Sequence, residues 1–186
     1  LAVYLKKRGS YQIKILDCQV EQLDYQQLKQ KLTQENPDIV GLTAMTFTLI
    51  DIIKTAQLAK EINQKIKVVL GGPHVNIYPN ETMQIKEVDF LVLGEGEESF
   101  KKLLDNINQI EKLYQIKGIV FKDKNKIINT GNQELIRDLD SIPFPARELL
   151  PYQKYFSVVS SKRPVTTMFT SRGCPFQCLF CDRPHL

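Results

Sequence analysis

Short apolar runs alternate along the chain with longer amphipathic stretches. The runs recur at near-even spacing: Tyr11 to Leu16, Ile39 to Leu42, Ile66 to Leu70 and Val88 to Leu93. Between them apolar residues return every three or four positions, first at Tyr25, Leu28 and Leu32, then at Ile52, Ala56, Ala59 and Ile62, then at Phe100, Leu103, Leu104 and Ile107. A period near 3.6 puts each set on one helix face, and Val, Ile and Leu at consecutive positions suit strands covered on both faces of a sheet. Strands alternating with helices of this length predict parallel strands joined by right-handed crossovers, an α/β doubly wound domain.

The two ends of the pattern depart from it. Leu1 to Arg8 reads as a helix closed by Gly9 at the C′ position. In a flavodoxin-like parallel sheet of order 2-1-3-4-5, the strand that should precede such a helix is the central one. The pattern therefore predicts a domain truncated at its N-terminus, with its first strand missing and two sheet edges left with nothing between them. After Ile110 the spacing changes. Gly118 to Phe121 and Lys126 to Asn129 flank Asp123-Lys124-Asn125, which predicts a small hairpin. Asp138 to Pro151 holds Pro143, Pro145 and Pro151 and reads as a linker, and Val165 to Phe169 reads as a further strand. The expected division is a first domain over 1–130, a linker over 131–160, and the start of a second domain over 161–186.

Composition narrows the class. At 186 residues, with 42% hydrophobic and 25% charged residues, the chain has material for one ordinary core and a piece of another. No stretch reaches the ~18 uninterrupted apolar residues of a membrane span, and the first ten residues are not a signal peptide. The net charge of +4 is spread along the chain, and Lys6-Lys7-Arg8 and the Lys122 to Lys126 stretch fall in expected turns, which argues against a nucleic-acid surface. Of four cysteines, three fall within eight residues. A disulfide framework spreads its cysteines and a metal site clusters them, so the pattern points to metal and to a reducing, cytoplasmic compartment. Cys18 stands alone and reads as a buried inert thiol at the end of the first strand.

The cluster reads Thr170-Ser171-Arg172-Gly173-Cys174-Pro175-Phe176-Gln177-Cys178-Leu179-Phe180-Cys181. Three thiolates at this spacing can wrap one face of a compact metal centre, with Gly173 and Pro175 helping the loop to curl. A closed structural site wants four protein ligands, whereas a site that does chemistry keeps one position open. With Phe180 just before the last cysteine, these residues resemble the signature of the radical S-adenosylmethionine superfamily. The resemblance implies that Cys174, Cys178 and Cys181 bind three irons of a 4Fe-4S cluster and that S-adenosylmethionine chelates the fourth. It also implies that Phe180 lies near the adenine, and that the preceding strand is the first of a partial (β/α) barrel. An electron from the cluster would cleave the sulfonium to a 5′-deoxyadenosyl radical, which abstracts a substrate hydrogen. The other reading of the cysteines is a zinc knuckle with His185 as fourth ligand.

Two glycine motifs stand where strands are expected to end: Gly71-Gly72-Pro73-His74, and Gly94-Glu95-Gly96-Glu97 at the start of the next helix. Ligands of open α/β sheets bind outside the carboxyl ends of strands, where glycine lets backbone approach a bulky ligand. Glu97 and Glu98 suit a helix N-terminus. Each motif alone is also an ordinary strand-to-helix turn. Together, with Pro37-Asp38-Ile39-Val40-Gly41-Leu42-Thr43 upstream, they resemble the cobalamin-binding domain found ahead of many radical S-adenosylmethionine domains, over most of Leu1 to Leu104. By position, the resemblance implies a cobalamin cleft lined by Thr43, Thr46, Gly71, Gly72, Pro73, His74, Gly94, Glu95 and Gly96. The Asp-x-His-x-x-Gly signature of domains that ligate cobalt through histidine is absent, and His74 is expected to be a turn residue bonded to backbone.

The expected activity is therefore that of a cobalamin-dependent radical enzyme, a methyltransferase acting on an unactivated carbon. It would work on a small-molecule substrate with a reducing donor such as a flavodoxin or ferredoxin. The 186 residues alone are not expected to turn over. The same cofactors would also serve a cyclase or rearrangement enzyme, and a cobalamin-sensing or zinc-stabilised binding module is the alternative of another class.

Overall fold

The computed structural model describes residues 1–174, 176 and 178–181. The chain forms two compact units, one of residues 1–28 with the described residues from Asp138 onward, the other of residues 29–137. Among the described residues the helices are α1 (Ala2–Arg8), α2 (Tyr25–Glu35), α3 (Leu49–Ile62), α4 (Pro73–Ile77), α5 (Pro79–Met83), α6 (Gly96–Asn106) and α7 (Ile110–Leu113). The strands are β1 (Ile39–Thr43), β2 (Lys67–Gly71), β3 (Phe90–Val92), β4 (Ile119–Asp123) and β5 (Lys126–Asn129).

The second unit holds the sheet, in the order β1-β2-β3-β4-β5. β1, β2 and β3 are parallel, with Thr43 opposite Gly71 and Leu70 opposite Leu91. β4 and β5 run antiparallel, with Phe90 opposite Phe121. The sheet is therefore mixed α/β rather than wholly parallel, because the hairpin expected after Ile110 adds its two strands to the sheet edge beside β3. That hairpin turns at Lys124 (φ 45°) and Asn125 (φ 65°), the pair of positive φ values that lets a two-residue turn follow the twist of its strands. β2 and β3 are buried along most of their length, as coverage of both faces requires. β1 is an edge strand, exposed at Gly41 and Thr43.

The helical periodicity translates directly into packing. Val69, Phe90, Val92, Leu103, Leu113, Ile116, Ile119 and Phe121 form one buried cluster, with Ile39, Phe100, Ile107 and Ile128 packed against it. Leu103 and Phe100 come from the expected face of α6, and each fully buried side chain of this size contributes roughly 1.5–3 kcal/mol. α3 buries Ala56 and Ala59 completely, and α2 buries Leu28 and Leu32. Asp89 joins the amino ends of two strands: its carboxylate accepts from Lys60 Nζ at 2.6 Å and from the Val68 amide at 2.8 Å.

In the first unit three sequence expectations are corrected. Gly9 follows α1 as expected, but its φ of −169° is extended backbone and not a left-handed cap. A Cβ there would stand 2.3 Å from Tyr11 Cε2, so any other residue would require the Tyr11 ring to move. Tyr11 to Leu16 is no strand, although its residues alternate between half-buried and exposed down to Lys14. Val165 to Phe169 is likewise extended without a ladder. Both carry strand-like residues, yet a strand needs a continuous ladder with a neighbour, and neither forms one among the described residues, where the Val165 amide donates to the Tyr155 carbonyl at 3.1 Å. A polar contact joins its two segments, the Tyr155 hydroxyl donating to Asp17 Oδ2 at 2.8 Å. Burial and that carboxylate push the Tyr155 phenol up to about 12.

Candidate functional site

Because β1, β2 and β3 are parallel, their carboxyl ends fall on one edge of the sheet. That edge carries Thr43 and the 3-10 turn Thr46–Thr48 after β1, Gly71 to His74 after β2, and Gly94 to Gly96 after β3. All the residues expected to line a cofactor cleft are thus brought to one edge, which is where ligands of open α/β sheets bind.

The loops after β1 and β2 are stitched together. The Ala44 amide donates to the Gly71 carbonyl at 2.7 Å, and the His74 amide donates to the Ala44 carbonyl at 3.0 Å. This close approach explains Gly72. At φ 100° it adopts a conformation that residues with a side chain avoid, and a Cβ would lie 3.0 Å from both Ala44 O and Thr43 Cγ2. Pro73 then opens α4, its missing amide costing nothing at a first helical position. His74 is 6% exposed. Its Nδ1 lies 3.1 Å from the Thr46 hydroxyl, with the donor set by the ring tautomer, and its ring centroid lies 5.4 Å from that of Tyr78. His74 is therefore a helix residue whose ring bonds a side chain, not the backbone-bonded turn residue expected. A cavity of about 340 Å³ opens beside it, lined by Leu49, Ile53, Tyr78, Thr82 and Ile85 among others.

The loop after β3 is built differently. Gly94 has φ 63° and nothing within 4 Å of where a Cβ would stand. Its amide donates to Asn76 Oδ1 at 2.9 Å. Glu95 caps α6 with its backbone extended, and its side-chain Oε2 accepts from the Ile136 amide at 2.6 Å. Glu97 and Glu98 occupy the first turn of α6 as expected. Asn76 and Ala44 escaped the sequence reading. Neither belongs to a glycine or cysteine motif, and their partners are distant in sequence, so only the local composition around Gly71 pointed at them. Apolar side chains also stand out on the loop after β1 and the start of α3, with Phe47 85% and Ile50 69% exposed.

The cysteine loop belongs to the other unit. Cys174, Cys178 and Cys181 are all exposed, as is Phe180, and the Cys181 amide donates to the Cys178 carbonyl at 3.2 Å. Gly173 has φ 79°, which suits the turn into the loop. Among the described residues no three His, Cys, Asp or Glu side chains converge to hold a metal ion. Pro175 and His185, the latter the fourth ligand of the zinc alternative, lie outside the described residues. Cys18 is half-buried rather than buried, and follows no strand.

These residues fit the two groups they were expected to hold. Gly94 is exposed and a Cβ there would meet open space, beside a loop pair fixed by backbone bonds, which leaves room for a large planar ligand to approach backbone. Three accessible thiols in one short loop are the type of donor that iron–sulfur clusters take. Among the described residues no helix is long and apolar enough to cross a membrane.

The family model for the B12 binding domain matches residues 1–104. An uncharacterized methyltransferase of Pyrococcus horikoshii is 39% identical over 94% of this chain and 38% of its own length. The anaerobic magnesium-protoporphyrin IX monomethyl ester cyclase of Rubrivivax gelatinosus is 35% identical over 98% of this chain and 34% of its own. The cobalamin-dependent radical SAM methyltransferase TokK of Streptomyces tokunonensis is 30% identical over 78% of this chain and 22% of its own. The chain thus spans well under half the length of these relatives. In fold it resembles the radical S-adenosylmethionine methyltransferase TsrM of Kitasatospora setae, solved with cobalamin and a 4Fe-4S cluster. There the TM-score is 0.58 and the identity 18%, over 75% of this chain and 26% of that one.

Proposed function

The chain belongs to the B12-binding domain family carried by radical S-adenosylmethionine proteins, and from that premise we propose that the sheet edge is a cobalamin cleft and the cysteine loop the seat of a 4Fe-4S cluster. The whole protein would then be a cobalamin-dependent radical enzyme that transfers a methyl group to an unactivated carbon of a small molecule. The observation that carries the reading is the convergence of Thr43, Thr46, Gly71 to His74 and Gly94 to Gly96 on one edge, with Gly72 and Gly94 in conformations that keep side chains out of it.

Each residue has a part in this reading. The glycines would admit a corrin close to backbone, Thr43 and Thr46 would offer it hydroxyls, and Pro73 and His74 would shape the loop after β2. Glu95 fixes the start of α6 through Ile136. Cys174, Cys178 and Cys181 are the thiolates that would hold three irons, leaving a fourth for S-adenosylmethionine, and Phe180 is the side chain that would cover its adenine. When bound, the cluster supplies reductive cleavage of S-adenosylmethionine and cobalamin supplies a methyl carrier; the protein aligns the partners and keeps out oxygen and water.

The division into a cobalamin domain over 1–130, a linker over 131–160 and the start of a radical domain from 161 belongs to the same reading. So do a cytoplasmic setting and a flavodoxin- or ferredoxin-like donor. Kinship with a cyclase as well as with methyltransferases supports ring formation as the second reading. The test is an anaerobic assay of the full protein with S-adenosylmethionine, a strong reductant and cobalamin. 5′-Deoxyadenosine together with methylated product supports methyl transfer. 5′-Deoxyadenosine without methyl transfer favours the cyclase reading, and neither product contradicts both.

A further inference from the structure

α4 starts at the end of β2, the strand that lies between β1 and β3, and it carries a side chain to each neighbour. His74 meets the Thr46 hydroxyl of the loop after β1 at 3.1 Å, and Asn76 Oδ1 accepts the Gly94 amide of the loop after β3 at 2.9 Å. Neither loop needs these bonds in order to fold. Thr46 and Gly94 are exposed, so water would satisfy the hydroxyl and the amide equally well. What the two bonds fix is position. They hold both loops to one five-residue helix, itself anchored by its own backbone, with the His74 amide on the Ala44 carbonyl at 3.0 Å.

We propose that α4 is a clasp, in which His74 and Asn76 are positioning residues that hold the Thr46 and Gly94 loops at a set separation, so that the cobalamin cleft is formed before its ligand arrives. The inference rests on the reading of this edge as a cobalamin cleft. It gives His74 a role other than cobalt ligation: the ring is buried, its Nδ1 is engaged by Thr46, and its face lies against Tyr78. A cleft ordered in advance spares the ligand the cost of ordering loops on binding, which shows as affinity.

The test is a spectroscopic titration of the full protein with hydroxocobalamin, without substrate. Thr46→Val keeps the side-chain shape and removes the hydroxyl, and Asn76→Ala removes the acceptor. Each should weaken cobalamin binding by about three- to tenfold, the worth of one hydrogen bond. Asn76→Asp retains an acceptor for the Gly94 amide and should bind like the unaltered protein, while urea denaturation of Asn76→Ala should show its stability within about 0.5 kcal/mol of the unaltered protein, so that lost affinity is not lost folding. The electron paramagnetic resonance spectrum of bound cob(II)alamin should show no splitting from a protein imidazole nitrogen, and Thr46→Val should leave it unchanged. Unaltered affinity in both Thr46→Val and Asn76→Ala would overturn the clasp while leaving the cleft in place. Imidazole splitting that vanishes in His74→Asn would overturn it in favour of ligation. Failure of the unaltered protein to take up cobalamin would overturn the cleft itself, and the clasp with it.

Discussion

At the carboxyl edge of β1, β2 and β3 the protein sets its own geometry. Backbone bonds from Ala44 and His74, side-chain bonds from Thr46 and Asn76, and a glycine at φ 100° hold the loops in place. Around Cys174, Cys178 and Cys181 the donors are present and accessible, but among the described residues they do not converge. The contrast follows from the two ligands proposed. A corrin is held by many weak contacts, so the surface must be shaped beforehand for their sum to count. Thiolate bonds to metal are strong enough to order their own loop, and the free energy of binding becomes that of folding. On the proposed reading, the first region is shaped before its ligand arrives and the second is ordered by its metal.

The largest expected effect breaks this contrast from the side of the cysteines. Cys178→Ala should abolish iron uptake on anaerobic reconstitution, read as loss of iron and of the cluster's visible absorbance. It should leave urea unfolding of the sheet unit within about 0.5 kcal/mol of the unaltered protein, as a change at an exposed position does. A large loss of sheet stability would show that the two regions are not separately organised.

A smaller effect tests the sheet edge. Gly72→Ala should destabilise the protein by about 1–3 kcal/mol, the cost of forcing a side chain into a conformation reserved for glycine. Gly94→Ala, where a Cβ meets open space, should cost only the left-handed backbone, about 1–2 kcal/mol, and should weaken cobalamin binding more than it weakens the fold. Urea denaturation gives the first quantity and cobalamin titration the second. If Gly94→Ala binds cobalamin normally, the space over that residue is not part of the cleft.

The smallest effect concerns pH. Tyr155, raised to about 12 by burial and by Asp17, has a folded pKa above the ~10 of an unfolded tyrosine. Its contribution to stability is therefore complete below about pH 10 and lost as pH rises through 12. Ultraviolet titration of phenolate absorbance should show Tyr155 ionising late, beside Tyr114, whose hydrogen bond to Asp123 also raises it. Asp17→Asn should bring Tyr155 down, and Tyr155→Phe should remove both its late step and that part of the alkaline stability loss.

Much of this was legible in the residues, for reasons that differ between elements. Leu103, Ala56 and Leu32 advertise their burial through helical period, and Asp123-Lys124-Asn125 marks the hairpin because few residues tolerate positive φ in succession. That the hairpin would join β3, making the sheet mixed, depends on a neighbour and not on its own sequence. The same cause undid Tyr11 to Leu16 and Val165 to Phe169, whose residues are strand-like but which form no ladder among the described residues. At the edge, Gly72 and Gly94 were visible because glycine is a signature in itself. Asn76 and Ala44 were not, since any residue has a carbonyl and many could supply an acceptor. The cysteine spacing predicts a set of donors and says nothing of whether they converge.

The central claim is that one chain carries both a cobalamin cleft and a cluster site. It is tested most directly by the iron, cobalt and zinc content of the full protein, purified without oxygen, reconstituted, and incubated with cobalamin. The account predicts about four irons and one cobalt for each chain. Iron without cobalt would contradict the cleft, and zinc in place of iron would contradict the account at its root.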